Sequence, residues 1–168
     1  MAPSSARTRW CAPAPTCTCG IRPRADGTSH ADAPAGPSAA RRTTAHVVHG
    51  RAGDEERHSS SGLIVSTGTG ATGWARSINL SRGNVLDLPK PEDKRLAFFV
   101  REAFPSIATG TDVTCGLIEQ STALAVVSEM NEGGVIFGDG IEDDHLDFAW
   151  GQRVKVQAAS ANLSLVCP

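Results

Sequence analysis

The chain has 168 residues, 40% of them apolar and 20% charged, with a net charge of −2. These values fit one soluble globular domain with room for a tail. No run approaches ~18 consecutive apolar residues, which excludes a spanning helix, and the N-terminus has no apolar h-region of a secretory signal.

Charge is unevenly divided along the chain. Residues 1–42 carry six Arg against two Asp, whereas residues 43–168 carry ten Lys or Arg against sixteen Asp or Glu. An acidic domain is a poor ligand for polyanions, so the expected partners include neither nucleic acid nor a membrane. Cys11, Cys17, Cys19, Cys115 and Cys167 are an odd, uneven set that does not read as a disulfide framework. A reducing compartment, the cytoplasm, is the expected location.

Residues 1–42 read as a disordered low-complexity tail. Ala, Pro, Ser and Gly fill 23 of the first 40 positions, and Leu, Val and Phe are absent from them. Such a segment buries too little apolar surface to offset its ordering entropy. Its composition also fits an out-of-frame or mis-started translation. Cys17-Thr18-Cys19 has no second Cys/His pair at zinc-finger spacing, so these thiols read as unpaired.

From Thr43 the texture changes. Ala45 to His49 predicts a strand, Gly50 to Gly53 a turn, and Asp54 to Ser60 a polar return strand, of which Asp54 to His58 reads as a solvated sheet edge. The next stretch, SGLIVSTGTGATGWARSINL (Ser61 to Leu80), predicts a buried strand, a turn of Gly, Thr and Ala, and a helix from Thr72 to about Arg82 stopped by Gly83-Asn84. Gly68, Gly70 and Gly73 present no Cβ to an approaching ligand, and Thr67, Thr69 and Thr72 offer hydroxyls beside the first helix amides. This is the chemistry of a nucleotide cradle.

Downstream the period is two. Leu96 to Arg101, Val113 to Ile118, Thr122 to Glu129, Val135 to Phe137, Leu146 to Phe148, and the alternations at Val154/Val156 and Leu163/Leu165 predict short strands between Gly-rich turns. The expected fold is mainly β with one or two helices (α+β), a sandwich-like domain over residues 43–168. GTGATG (Gly68 to Gly73) fits G-x-G-x-x-G, with Asp87 near the spacing of a ribose-binding acid. A doubly wound sheet needs repeated strand–helix units, however, and none follows. Glu142-Asp143-Asp144-His145 reads as a solvated loop before it reads as a metal site.

Over about residues 54–80, and more loosely over 96–166, the sequence resembles the C-terminal β-rich domain of the NAD kinase family. Thr67-Gly68-Thr69-Gly70-Ala71-Thr72-Gly73-Trp74 carries the likeness. The TGTG form, with Ser61-Gly62-Leu63 where many members have Asp-Gly-Leu, is similar to the mitochondrial-type branch. The resemblance implies a kinase that moves the γ-phosphoryl of ATP to the 2′-hydroxyl of NAD's adenosine ribose with a divalent metal such as Mg. It also implies a small-molecule nucleotide as ligand; a homo-oligomer is the expected assembly. By position, Thr69, Thr72, Gly73 and Trp74 would line the adenosine pocket, Ser77 would border it, and Asp139-Gly140 would form a turn near the dinucleotide. The family's Gly-Gly-Asp-Gly motif, in its N-terminal catalytic half, is absent, so the chain is expected to be an inactive fragment with no catalytic residue of its own. The alternatives are a non-catalytic β module that binds a nucleotide or self-associates, and a Rossmann oxidoreductase fragment.

Overall fold

LAFFVR (Leu96 to Arg101) has no polar residue before its end, the pattern of a strand covered on both faces. The computed structural model, which describes residues 18–23, 43–49, 54–131, 133–139, 141 and 144–160, shows the same arrangement. Of Thr18–Pro23, Thr43–His49 and Asp54 it describes the backbone. Among the described residues ten strands form: β1 (Thr18–Pro23), β2 (Thr43–His49), β3 (Asp54–Ser60), β4 (Gly62–Ser66), β5 (Leu96–Arg101), β6 (Cys115–Ile118), β7 (Leu124–Ser128), β8 (Gly134–Gly138), β9 (His145–Asp147) and β10 (Arg153–Val156). A 3₁₀ turn (Gly70–Thr72) and one helix, α1 (Trp74–Ser81), separate β4 from β5.

The strands make two sheets, ordered β6-β5-β4-β1-β8-β9 and β10-β7-β2-β3, and every pairing among the described residues is antiparallel. The sheets pack face to face over Leu63, Val65, Phe98, Val100 and Ile118 from one and Leu124, Val126 and Val154 from the other, with Met130, Ile136 and Phe148 completing the core. On the outer face of the six-stranded sheet, Ala71 and Ala75 pack against Ala97 and Phe99, flanked by Ile78, Leu86, Leu88 and Leu117. The layers are therefore helix, sheet, sheet. The Rossmann alternative fails on this topology, because a doubly wound fold requires a mostly parallel sheet. Asp87, the candidate ribose acid, instead sits exposed and paired with Arg95 (3.4 Å).

Two expectations are corrected. Thr18–Pro23 is a strand, not part of a disordered tail; it pairs with β4 on one side (Thr18↔Ser66 to Ile21↔Leu63) and with β8 on the other (Cys19↔Gly138 to Pro23↔Gly134). Backbone ladders on both sides supply what the composition of this segment hides, since hydrogen bonding to two neighbours does not depend on side-chain hydrophobicity. The rest of residues 1–42 lies outside the described residues, as do Leu163 and Leu165. The second correction concerns β3, which is an edge strand but is not solvated along its length. His58 is 1% exposed, and the Glu56 carboxylate lies 3.3 Å from its Nε2 while accepting from the amides of Asp112 (3.1 Å) and Val113 (2.8 Å). The chain between β5 and β6 folds over that edge and is held there.

α1 ends where expected. Gly83 (φ 79°) and Asn84 (φ 59°) adopt the left-handed conformation that closes a helix, and the Asn84 amide donates to the Asn79 carbonyl (2.8 Å). Buried Asn79 then clamps the following segment, its amide group donating to Leu86 O (2.9 Å) and its Oδ1 accepting from Leu86 N (3.0 Å). Arg82 ties the same end to the sheet through Val100 O (2.6 Å) and Thr114 O (3.3 Å). Among the described residues, no helix is long and apolar enough to cross a membrane.

Because β1 lies between β4 and β8, residues 43–168 expressed alone are expected to lose the cooperative thermal transition of the full chain. An unchanged transition would contradict the placement of that strand.

Candidate functional site

The site is built on the passage from β4 to α1. GLIVS (Gly62 to Ser66) is buried throughout, so the chain emerges from the sheet only at Thr67. There the backbone turns sharply: Thr67 Oγ1 accepts from Gly70 N (3.1 Å), and Thr67 O accepts from Ala71 N (2.7 Å). Buried Ser66 donates its hydroxyl to Thr67 O (3.1 Å). Hydroxyls near a turn that bond their own backbone are a common local device.

Gly68 has a structural role. A Cβ there would overlap the carbonyl oxygen of Lys90, so the glycine lets the Lys90-Pro91 segment cross the turn. That segment is itself fixed, with Asp93 Oδ2 accepting from Lys90 N (3.0 Å) and from Arg95 Nε (3.1 Å). The backbone donor at Lys90, and then Arg95, hold the Asp93 carboxyl below its ordinary value. The space that the sequence suggests for a ligand at Gly68 is filled by the protein's own chain.

The other candidates stand outward. Ala71, Ala75 and Asn79 face the sheet at helical spacing, which leaves Thr72, Gly73, Trp74 and Ser77 on the exposed side. Thr69 is half-buried and precedes the 3₁₀ turn; its carbonyl accepts the Thr72 hydroxyl (2.9 Å) and the Thr72 amide (3.2 Å). No side chain caps α1, whose preceding residue is Gly73. The turn thus presents a continuous strip from Thr69 to Ser77.

Trp74 is 44% exposed, and the Arg101 guanidinium lies over its ring, 4.6 Å from the centroid. Arg101 comes from the far end of the ladder, since its Cα pairs with Gly62, whereas the turn leaves β4 after Ser66 opposite Ala97. Arg101 Nη2 is 3.2 Å from Glu102 Oε1. Glu102, in a left-handed conformation (φ 44°), has its carboxyl held below the ordinary value by a hydrogen bond from Ser61 and then by Arg101. An acid therefore does act on Ser61, supplied by the residue that follows β5. No local pattern announces Arg101, although the alternation of Ala97, Phe99 and Arg101 assigns it to the helix side of the sheet.

Asp139 (φ 52°) is in the turn directly after β8. The registers Cys19↔Val65 and Cys19↔Gly138 put that turn at the same end of the sheet as Thr67, two strand spacings away across β1, about 10 Å. Gly140, Glu142 and Asp143 lie outside the described residues. His145 Nε2 is 3.8 Å from Asp147 Oδ1, and among the described residues no group of three or more His, Cys, Asp or Glu could hold a metal ion.

Gly68→Ala is expected to destabilise the ligand-free protein by about 2 kcal/mol, the scale of forced overpacking, as measured by urea denaturation. An unchanged midpoint would return Gly68 to a ligand-related role.

In fold, the chain is similar to an NAD kinase from Archaeoglobus fulgidus in complex with ATP (TM-score 0.53, 16% identity, covering 86% of this chain and 45% of that one). It is likewise similar to yeast NADH kinase complexed with NADH (TM-score 0.54, 13% identity, covering 88% of this chain and 36% of that one). The chain therefore spans less than half the length of either structure. No family model matches the sequence, and no curated protein matches it. The described residues have an NAD kinase-like fold, mostly strands with one helix.

Proposed function

We propose that this chain is the nucleotide-binding β domain of an NAD kinase-type protein, of the branch with a TGTG turn, and that its ligand is the adenosine portion of NAD. The observation that carries this reading is the exposed Trp74, set by a Gly- and Thr-rich turn at the margin of a helix layer, in a fold shared with two nucleotide-complexed kinases. An indole supplies a large planar face at small entropic cost, and the strip of Thr69, Thr72, Gly73 and Ser77 beside it offers hydroxyls and an unobstructed backbone to base and ribose. Asp139 lies at the same end of the sheet as Thr67, and in this reading it meets a more distant part of an extended dinucleotide.

In a complete kinase the 2′-oxygen of the adenosine ribose attacks the γ-phosphorus of ATP. The bond to the β–γ bridging oxygen breaks, ADP leaves, and the hydroxyl proton passes to a base. This chain's part is to bind and orient the acceptor, a contribution that phosphoryl transfer depends on heavily. The family's divalent metal would accompany ATP, but Ser66 to Ser77 contain no carboxylate and do not fit it, so no step is assigned to it. The sequence also contains no Gly-Gly-Asp-Gly. A positioned base is worth orders of magnitude, so the chain alone is a binder without appreciable turnover.

A second reading, a self-associating module without catalysis, has one observation in its favour. Phe104 and Ile107 stand exposed on a loop held by its own hydrogen bonds, Ser106 Oγ to Thr109 Oγ1 (2.7 Å) and Thr109 Oγ1 to Phe104 O (2.9 Å). A homo-oligomer fits either reading.

Calorimetric titration of the full chain with NAD is expected to show binding that Trp74→Ala weakens about tenfold, within the ~1–3 kcal/mol that alanine substitution removes per stacked base. With ATP present, no NADP should form. Absence of NAD binding together with concentration-dependent sedimentation would favour the self-association reading instead.

A further inference from the structure

The contact between Arg101 and Trp74 has two interpretations. As a surface cation–π pair it adds a modest increment to stability and nothing else. Its surroundings point further. The guanidinium lies over the indole, 4.6 Å from its centroid, while Trp74 remains 44% exposed, so much of the side chain still meets solvent. Arg101 itself is not loose: its side chain is 24% exposed, its Nη2 is paired with Glu102 (3.2 Å), and its carbonyl accepts from Ser61 N (3.0 Å). The Ser61 side chain, and then Arg101, hold the Glu102 carboxyl below its ordinary value. The chain Ser61, Glu102, Arg101, Trp74 therefore links the start of β4 and the end of β5 to the first residue of α1.

We propose that Arg101, held by Glu102, is a positioning residue that backs the Trp74 indole and presents its opposite face to a purine base. This rests on the nucleotide-binding reading above. An indole already stacked on one side has fewer orientations to give up when a base arrives on the other, so the ordering cost of binding falls. Arginine suits the task because its plane lies flat against an aromatic face and keeps its charge at every working pH; lysine supplies the charge without the plane. Glu102 contributes by fixing the guanidinium, not by touching the ligand.

The test uses the full chain with Trp10→Phe and Trp150→Phe, so that Trp74 is the one remaining indole. Time-resolved fluorescence anisotropy of the free protein reports the freedom of that indole, and calorimetry with NAD reports affinity. Arg101→Met, similar in length but uncharged, is expected to free the indole and weaken NAD about fivefold or more, with the thermal transition retained. Arg101→Lys is expected to fall between Met and wild type, and Glu102→Gln to free the indole partially. If NAD binds the parent protein but Arg101→Met leaves affinity or anisotropy unchanged, the positioning role is overturned and the nucleotide reading stands. If NAD does not bind the parent at all, the nucleotide reading falls, and the role of Arg101 in presenting a base falls with it.

Discussion

Phe98 and Phe99 are adjacent in sequence, fully buried, and point to opposite faces of β5. This is the constraint on which the other features depend. A strand carrying two buried aromatics side by side needs a layer on each face, and here the four-stranded sheet covers one and α1 with its connections covers the other. Antiparallel pairing of β4 with β5 then fixes where β4 leaves the sheet, because Ser66 is held opposite Ala97. Small residues at Ala71 and Ala75 let the turn and helix lie close on that outer face. What the packing consumes is the inward side of α1; what it leaves over is Gly73, Trp74 and Ser77. The candidate site is the unused margin of a layer required for other reasons.

The Gly-rich turn separates two roles that its spacing merges. Gly68 answers to the backbone of Lys90, a contact twenty-two residues away in sequence. Gly73, by contrast, is exposed, and a Cβ added there would meet nothing nearer than the Gly70 carbonyl oxygen at 3.8 Å. Glycine at the first position is thus explained by packing, and glycine at the second is not. A G-x-G-x-x-G pattern cannot distinguish these, since both glycines look alike until the rest of the chain is placed around them.

Elements governed by local rules were legible in the sequence. The hairpin of β2 and β3, the stop of α1 at Gly83-Asn84, and the short strands between Leu96 and Val156 follow from period and turn chemistry, with boundaries shifted by one or two residues. Features set by distant partners were not. The central strand β1 hides in an Ala- and Pro-rich segment because its pairing is a backbone property supplied by β4 and β8. Glu56 and His58 look solvated until the chain after β5 folds over them. Arg101 reaches Trp74 only because the register of β4 with β5 and the course of α1 bring together residues far apart in the chain. Candidate residues within one turn could be named from sequence; the Arg101 guanidinium over the Trp74 ring could not.

The functional reading turns on whether a nucleotide occupies the strip beside the Trp74 indole. Amide chemical-shift mapping of the full chain with NAD tests this most directly. Perturbed amides are expected to cluster from Thr67 to Ser77, with a second group at Asp139 on the same end of the sheet. Perturbations confined to the far loop around Phe104 and Ile107, or none at saturating NAD, would contradict it.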